Sequence, residues 1–393
     1  MKRLAIVTTH PIQYNAPLFA MLAERGIITI KVFYTWGKDG LKKKYDPGFD
    51  KTIEWNIPLL EGYEYSFVNN VAENPGSHHF GGIDNPTLIA DIKSWGAHAV
   101  LVYGWPFKSH WKLLRYFHGK LPLFFRGDST LLDEVQGVKQ LIRRIALQYI
   151  YRHIDKAFYA GTANKDYFLA HGLKENQLIF MPHAVDNSRF SVTPLLVIDA
   201  KQFRAARHIP EGACVFLFAG KLENKKQPAM LASVFANTPL SNGYLIFAGS
   251  GPLEEGMRKL FEGNPRIIFL GFINQKEMPV IYHASDVLVL PSAGPNETWG
   301  LCINEAMAAG KAIITSDACG AAYDLVLEQQ NGFIFRKNNP VLLQQQLQFC
   351  NDQPEEIKKM GLKSLSIIKQ YSVEQDCTAI EDCFNVTGEK NIQ

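Results

Sequence analysis

Short apolar runs that stop at a glycine, a proline or a polar residue alternate along this chain with longer amphipathic segments, and that rhythm restricts the fold more than any other feature. In the first half the runs are Leu4 to Thr8, Ile28 to Tyr34, Ala99 to Tyr103, Leu121 to Phe125, Lys156 to Tyr159 and Gln177 to Met181. In the second they include Cys214 to Gly220, Tyr244 to Gly249, Ile267 to Ile273, Asp286 to Ser292 and Gly310 to Asp317. Strands that are apolar throughout must be covered on both faces, which is the situation of a parallel sheet layered by helices. Leu88 to Ser94 and Lys139 to Arg152 read as two of those helices. A chain of 393 residues exceeds one compact core and implies about two domains. The turn-rich stretch from Met181 to Ser191 interrupts the rhythm and reads as a hinge. We therefore expect an α/β protein with one domain at 1–190, a second at 191–372, and a terminal segment at 373–393.

One β-loop-α-β unit of the second half concentrates the chemistry. The strand Asp286 to Ser292 leads into a loop holding Glu297 and Gly300, then into a helical stretch holding Glu305 that stops at Gly310. Ligands of open α/β sheets bind at this carboxyl end of the strands. A helix that starts near Gly300 and Leu301 offers unpaired amides and the positive end of its dipole to a diphosphate. A rise of ~1.5 Å per residue places the two carboxylates roughly 8 to 12 Å apart, the span from a transferred sugar across a diphosphate to a ribose.

Glu297, Glu305, Ala306, Met307, Ala308 and Gly310 match the signature of the retaining family 4 glycosyltransferases, two glutamates separated by seven residues and followed by Ala-Met-Ala and Gly. Ser316 to Ala322 and Asn331 to Phe335 follow the same pattern, so the resemblance covers most of residues 213–340. It implies a GT-B fold, two Rossmann-like β/α/β domains facing a central cleft, with 373–393 crossing back to the first domain. It further implies that Glu297 contacts the donor sugar, that Glu305 contacts the nucleotide ribose, and that the anomeric configuration is retained.

Lys221 and Lys226 follow the strand Cys214 to Gly220 directly and can neutralise phosphate charge. Lys226 matches the family's diphosphate-binding lysine, whereas Lys221 stands where the family has Arg, which keeps the charge but loses the planar fork. Phe272 and Ile273 fall where a nucleotide base would lie, although core packing explains both equally well. The chain has no Asp-x-Asp tripeptide. The usual metal-dependent nucleotide-sugar fold holds a divalent ion on the diphosphate with such a cluster, and its absence favours neutralisation by Lys, Arg and helix dipoles, so we expect neither metal nor cofactor.

The first half is less informative. His10, in the loop after the first strand, is a candidate for contact with donor phosphate or acceptor hydroxyl. Arg126-Gly-Asp128 stands where the resemblance leads one to expect a cleft histidine, and Asp128 is a candidate to orient the acceptor. The aromatic and lysine-rich stretch Tyr34 to Tyr45 can stack on a sugar or meet an anionic headgroup. Residues Lys139 to Lys156 combine Arg143, Arg144 and Arg152 with Leu141, Ile142, Ile145, Ile150 and Ile154, a composition shared by membrane-surface helices and by ordinary crossover helices.

Composition narrows the partners. A formal net charge of +3 argues against a dedicated nucleic-acid binder. No apolar run reaches the ~18 to 20 residues that span a bilayer, and His10-Pro11 ends the first run too early for a secretory segment. Six scattered cysteines fit a reducing cytosol. The expectation is a cytoplasmic enzyme, with peripheral contact at the inner membrane face as a further partner. It would move a hexose-type sugar from a nucleoside-diphosphate sugar to a saccharide or lipid-linked saccharide, in cell-surface polysaccharide or glycolipid assembly. A nucleotide-sugar 2-epimerase of the same fold and a non-catalytic sugar-binding subunit are the alternatives. A dinucleotide oxidoreductase would show Gly-x-Gly-x-x-Gly after the first strand, and this chain does not.

Overall fold

The computed structural model describes residues 2–38, 44–46, 48–49, 51–132, 134, 137–295 and 297–389. Two compact units emerge, one of Met1–Lys42, Pro58–Pro182 and Val373–Gln393, the other of Lys43–Ile57 and His183–Ser372. Each is built on its own parallel sheet.

In the first unit the strands are β1 (Arg3–Thr8), β2 (Thr29–Tyr34), β5 (Tyr65–Phe67), β6 (Ala99–Tyr103), β7 (Leu123–Arg126), β8 (Lys156–Tyr159) and β9 (Leu178–Phe180). They lie in the order β5-β2-β1-β6-β7-β8-β9, all parallel. Leu4 through Val7 and Ala99 through Val102 are sealed from solvent, because helices cover both faces of the sheet. The last helix, Val373–Glu389, belongs to this unit. Arg25 of the helix Ala16–Arg25 pairs with its Glu381 at 2.7 Å, and its Phe384 meets Phe124 edge-on.

Between β2 and β5 the chain leaves this unit. β3 (Lys44–Asp46) and β4 (Lys51–Ile53) form an antiparallel hairpin within the segment assigned to the second unit. No apolar periodicity announces such a short hairpin. The aromatic and lysine-rich stretch Tyr34 to Tyr45 lies partly outside the described residues, at 39–43.

The second unit carries β10 (Cys214–Ala219), β11 (Gly243–Ala248), β12 (Ile267–Gly271), β13 (Val287–Leu290), β14 (Ala312–Ser316) and β15 (Gly332–Phe335). Their order is β12-β11-β10-β13-β14-β15, again all parallel. The order reverses between β10 and β13, so helices leave these two strands toward opposite faces and a crevice opens beyond their carboxyl ends. Phe216, Phe218, Phe247, Val289 and Ile314 fill the core on one face.

At the opposite, amino-terminal edge of this sheet Lys311 precedes β14. Burial drives its ammonium pKa down to about 8, partly offset by the charge of Asp286. Between that value and the unfolded value near 10.5, the unfolded chain holds a proton that the folded one has released, so stability rises with pH over this window. Lys311→Met is expected to raise stability at pH 7 by an amount of order 2 kcal/mol, because it removes a charge the fold disfavours. Urea titrations of both proteins at pH 7 and pH 10 check this; a variant less stable than the parent at pH 7 contradicts it.

Candidate functional site

The switch point of the second sheet gathers the residues singled out from the sequence. Lys221 and Lys226 follow β10, and Glu297 follows β13, its neighbour in the sheet. The two loops are tied by the Ala293 amide, which donates to the Lys225 carbonyl at 2.8 Å. Lys226 Nζ meets Glu297 Oε2 at 2.6 Å, and the Ser292 hydroxyl donates to the same oxygen at 3.0 Å. Glu297 is only 8% exposed. Burial is the largest influence on Lys226 and opposes its charge, but Glu297, helped by the neighbouring Cys302 and Cys319, outweighs it and holds the ammonium pKa above its ordinary value. A buried, paired cation and carboxylate therefore stand together where ligands of this fold bind.

The helix after the loop spans Cys302–Ala308, beginning two residues beyond Gly300, with Leu301 at its cap. Gly300 has φ 102°, and a Cβ there would lie 2.8 Å from both Cys319 Sγ and a Leu290 methyl. The turn that delivers the chain from Glu297 into the helix thus requires glycine on two counts. Glu305 is buried inside the helix, and the Tyr282 hydroxyl donates to its Oε2 at 2.7 Å. Next to it, Asn304 accepts from the Trp299 indole at 2.8 Å and donates to the His183 carbonyl at 2.7 Å.

Loop 297–299 is held from its other side by the turn after β14. The Gly320 amide donates to the Glu297 carbonyl at 3.1 Å, and the Ala321 amide to the Trp299 carbonyl at 3.0 Å.

Lys221 is engaged differently from Lys226. Its Nζ contacts both oxygens of Asp46, at 2.8 and 3.0 Å, and lies 5.0 Å from the Phe49 ring. Burial works to raise the Asp46 pKa, but Lys221 and the amides of Gly48 and Phe49 together hold it below the usual carboxylate range. Phe49 and Trp55 also pack on Phe272, with Ile273 half-buried beside it at the end of β12. The hairpin segment therefore furnishes a wall against the residues expected near a base.

The candidates from the first half occupy the first unit. His10 follows β1, at the point where that sheet's order reverses. Its Nδ1 lies 2.8 Å from the Thr9 hydroxyl and its ring meets Trp36 edge-on at 5.2 Å. Asp128 is exposed two residues beyond β7. Arg126 turns inward instead, donating to the carbonyls of Met181 and, at 3.0 Å, Pro182.

Sequence reasoning missed Ser292, Tyr282 and Asp46. Tyr282 and Asp46 lie 23 and 175 residues from their partners, and no local spacing could have exposed them. Ser292 was visible only as the last residue of its strand.

Two parallel sheets of this topology, one per unit, define the class as GT-B. The whole chain superposes on Anabaena HepE solved with UDP, at a TM-score of 0.73 and 16% identity, covering 98% of this chain and 100% of that one. Sucrose-phosphate synthase from Thermosynechococcus elongatus matches equally, at 0.73 and 16%, covering 99% and 100%. Residues 199–364, all within the second unit, match the model of the family described as Glycosyl transferases group 1. Among curated relatives, sulfoquinovosyl transferase of Arabidopsis thaliana is 30% identical over 268 residues, which is 66% of this chain and 44% of that protein. The chain thus spans less than half the length of that relative.

Proposed function

We propose that the protein is a metal-independent glycosyltransferase that moves a hexose-type sugar from a nucleoside-diphosphate sugar to a hydroxyl of a saccharide or lipid-linked saccharide, with retention. The observation that carries this reading is the buried Lys226–Glu297 pair at the switch point, with Glu305 inside the adjoining helix. In this reading Lys226, Lys221 and the amides near Gly300 and Leu301 stabilise the departing diphosphate. Glu297 meets the donor sugar, Glu305 the ribose, and Ile273 the base. Donor binding by HepE, whose solved complexes include UDP-glucose, supports a nucleotide-sugar donor. His10 and Asp128 sit at carboxyl ends of strands in the first unit, the edge at which such sheets bind ligands, and we assign acceptor recognition and orientation of the attacking hydroxyl to that unit. The setting we propose is cell-surface polysaccharide or glycolipid assembly at the cytoplasmic side of a membrane.

A melting-temperature screen with UDP-, GDP- and ADP-sugars tests the donor assignment. One nucleotide class is expected to stabilise the protein by about 2.7 kcal/mol at a hundred times its Kd, and Glu305→Ala is expected to abolish the shift. A folded protein that none of these nucleotides stabilises would refute the transferase reading.

A further inference from the structure

The helix Val138–Tyr151 has a large apolar face that stands exposed among the described residues. Val138, Leu141, Ile142, Ile145 and Tyr149 are 43 to 75% exposed, while Leu147, Ile150 and Tyr151 are buried. At about 100° per residue the five exposed side chains fall within an arc of about 100°, and the three buried ones cluster on the opposite side of the helix. The exposed arc is therefore a continuous stripe facing away from the domain. Isolated exposed apolar residues are ordinary, but a stripe of this kind marks a contact surface.

Charge identifies what the stripe meets. Residues 138–152 contain Lys139, Arg143, Arg144 and Arg152 and no aspartate or glutamate. Lys139 and Arg144 project on either side of the stripe by helical geometry. Arg143 lies further round, where it donates to the Tyr167 hydroxyl at 3.0 Å. At the carboxyl end Arg152 lies 3.9 Å from the Tyr149 ring, and Trp111 packs on Tyr149 with Arg115 beside it. An apolar stripe bordered by cations, with tryptophan and tyrosine at one end, is complementary to the acyl boundary and phosphate layer of an anionic bilayer. A protein partner of matching shape would need an acidic rim around an apolar groove, whereas an anionic lipid surface supplies both components at once.

We propose that this helix lies in the surface of an anionic membrane, with Val138, Leu141, Ile142, Ile145 and Tyr149 inserted at the headgroup boundary and Lys139, Arg144 and Arg152 on lipid phosphates. No helix among the described residues is long and apolar enough to cross a membrane, so the attachment described here is to the surface. The inference stands on this helix alone and is independent of the donor assignment.

Flotation of the full chain with vesicles tests it. Binding to phosphatidylcholine vesicles containing phosphatidylglycerol is expected to exceed binding to pure phosphatidylcholine by about tenfold or more and to weaken as salt is raised. Ile142→Glu with Ile145→Glu is expected to weaken binding to the mixed vesicles at least about tenfold, and Lys139→Gln with Arg144→Gln to remove the preference for anionic lipid. Both double variants are expected to melt with the parent, since the four side chains are exposed. Absence of binding to anionic vesicles would overturn the proposal, as would binding that the glutamate variant leaves intact. Sedimentation showing a parent dimer that the glutamate variant dissociates would overturn it in favour of a second copy of this chain. Nucleotide-induced stabilisation is measured on the same proteins, so failure here is distinguishable from failure of the transferase reading.

Discussion

Lys226→Met is expected to cost about 3 to 5 kcal/mol of folding stability in the ligand-free protein, because it leaves the Glu297 carboxylate in a buried site without its counter-charge, next to the neutral Ser292 hydroxyl. Glu297→Gln is expected to cost a similar amount by leaving the Lys226 ammonium without its opposite charge. The double variant Lys226→Met with Glu297→Gln is expected to recover much of the loss, since neutral groups of similar volume need no counter-charge. Because Glu297 holds the Lys226 pKa above its ordinary value, the pair's contribution is complete below the unfolded lysine pKa near 10.5 and is lost as pH rises through the folded value. Denaturant titrations of the four proteins close the cycle, and additive losses would show that the pair is not coupled in the folded state. Sugar transfer follows a different course. In the proposed reaction Lys226→Met and the double variant are expected to be inactive because neither supplies a cation for the leaving diphosphate, and Glu297→Gln because it removes the carboxylate assigned to the donor sugar. Recovered stability with absent turnover would separate the structural role of the pair from its chemical one.

Gly320→Ala is expected to be the other severe change, with a loss of about 3 kcal/mol or more and displacement of the loop bearing Glu297. A Cβ on Gly320 would overlap the Thr298 carbonyl, and a backbone atom cannot rotate aside as the end of a side chain can. The same approach allows the Gly320 and Ala321 amides to reach the carbonyls of Glu297 and Trp299. Relief therefore requires the loop to retreat, which breaks these bonds and moves Glu297 away from Lys226. Thermal melts and nucleotide binding measured together check the coupling. A variant that melts normally and binds nucleotide normally would mean that the two turns separate at little cost.

The strands were legible because burial on both faces leaves an unbroken apolar run, and Cys214 to Ala219 and Val287 to Leu290 stand out for that reason. The lysines after β10 and the glutamate after β13 were legible because a strand end and a glycine turn are local signals. β5 and the hairpin of β3 and β4 were not, since these three-residue strands mix polar or charged residues with apolar ones and form no apolar run, unlike the equally short β9.

The sequence by itself therefore determined the parallel α/β layering, the carboxylate and lysine inventory of the second half, and the basic, apolar composition of 138–152. Only the tertiary structure decided that Lys226 is paired with Glu297, that Tyr282 holds Glu305, that Asp46 from a distant hairpin engages Lys221, and that the apolar arc of Val138–Tyr151 faces outward. The physical reason is range. Secondary structure follows from neighbours a few residues apart, whereas the partner of a charge and the exposure of a helix face depend on which remote segments pack beside them.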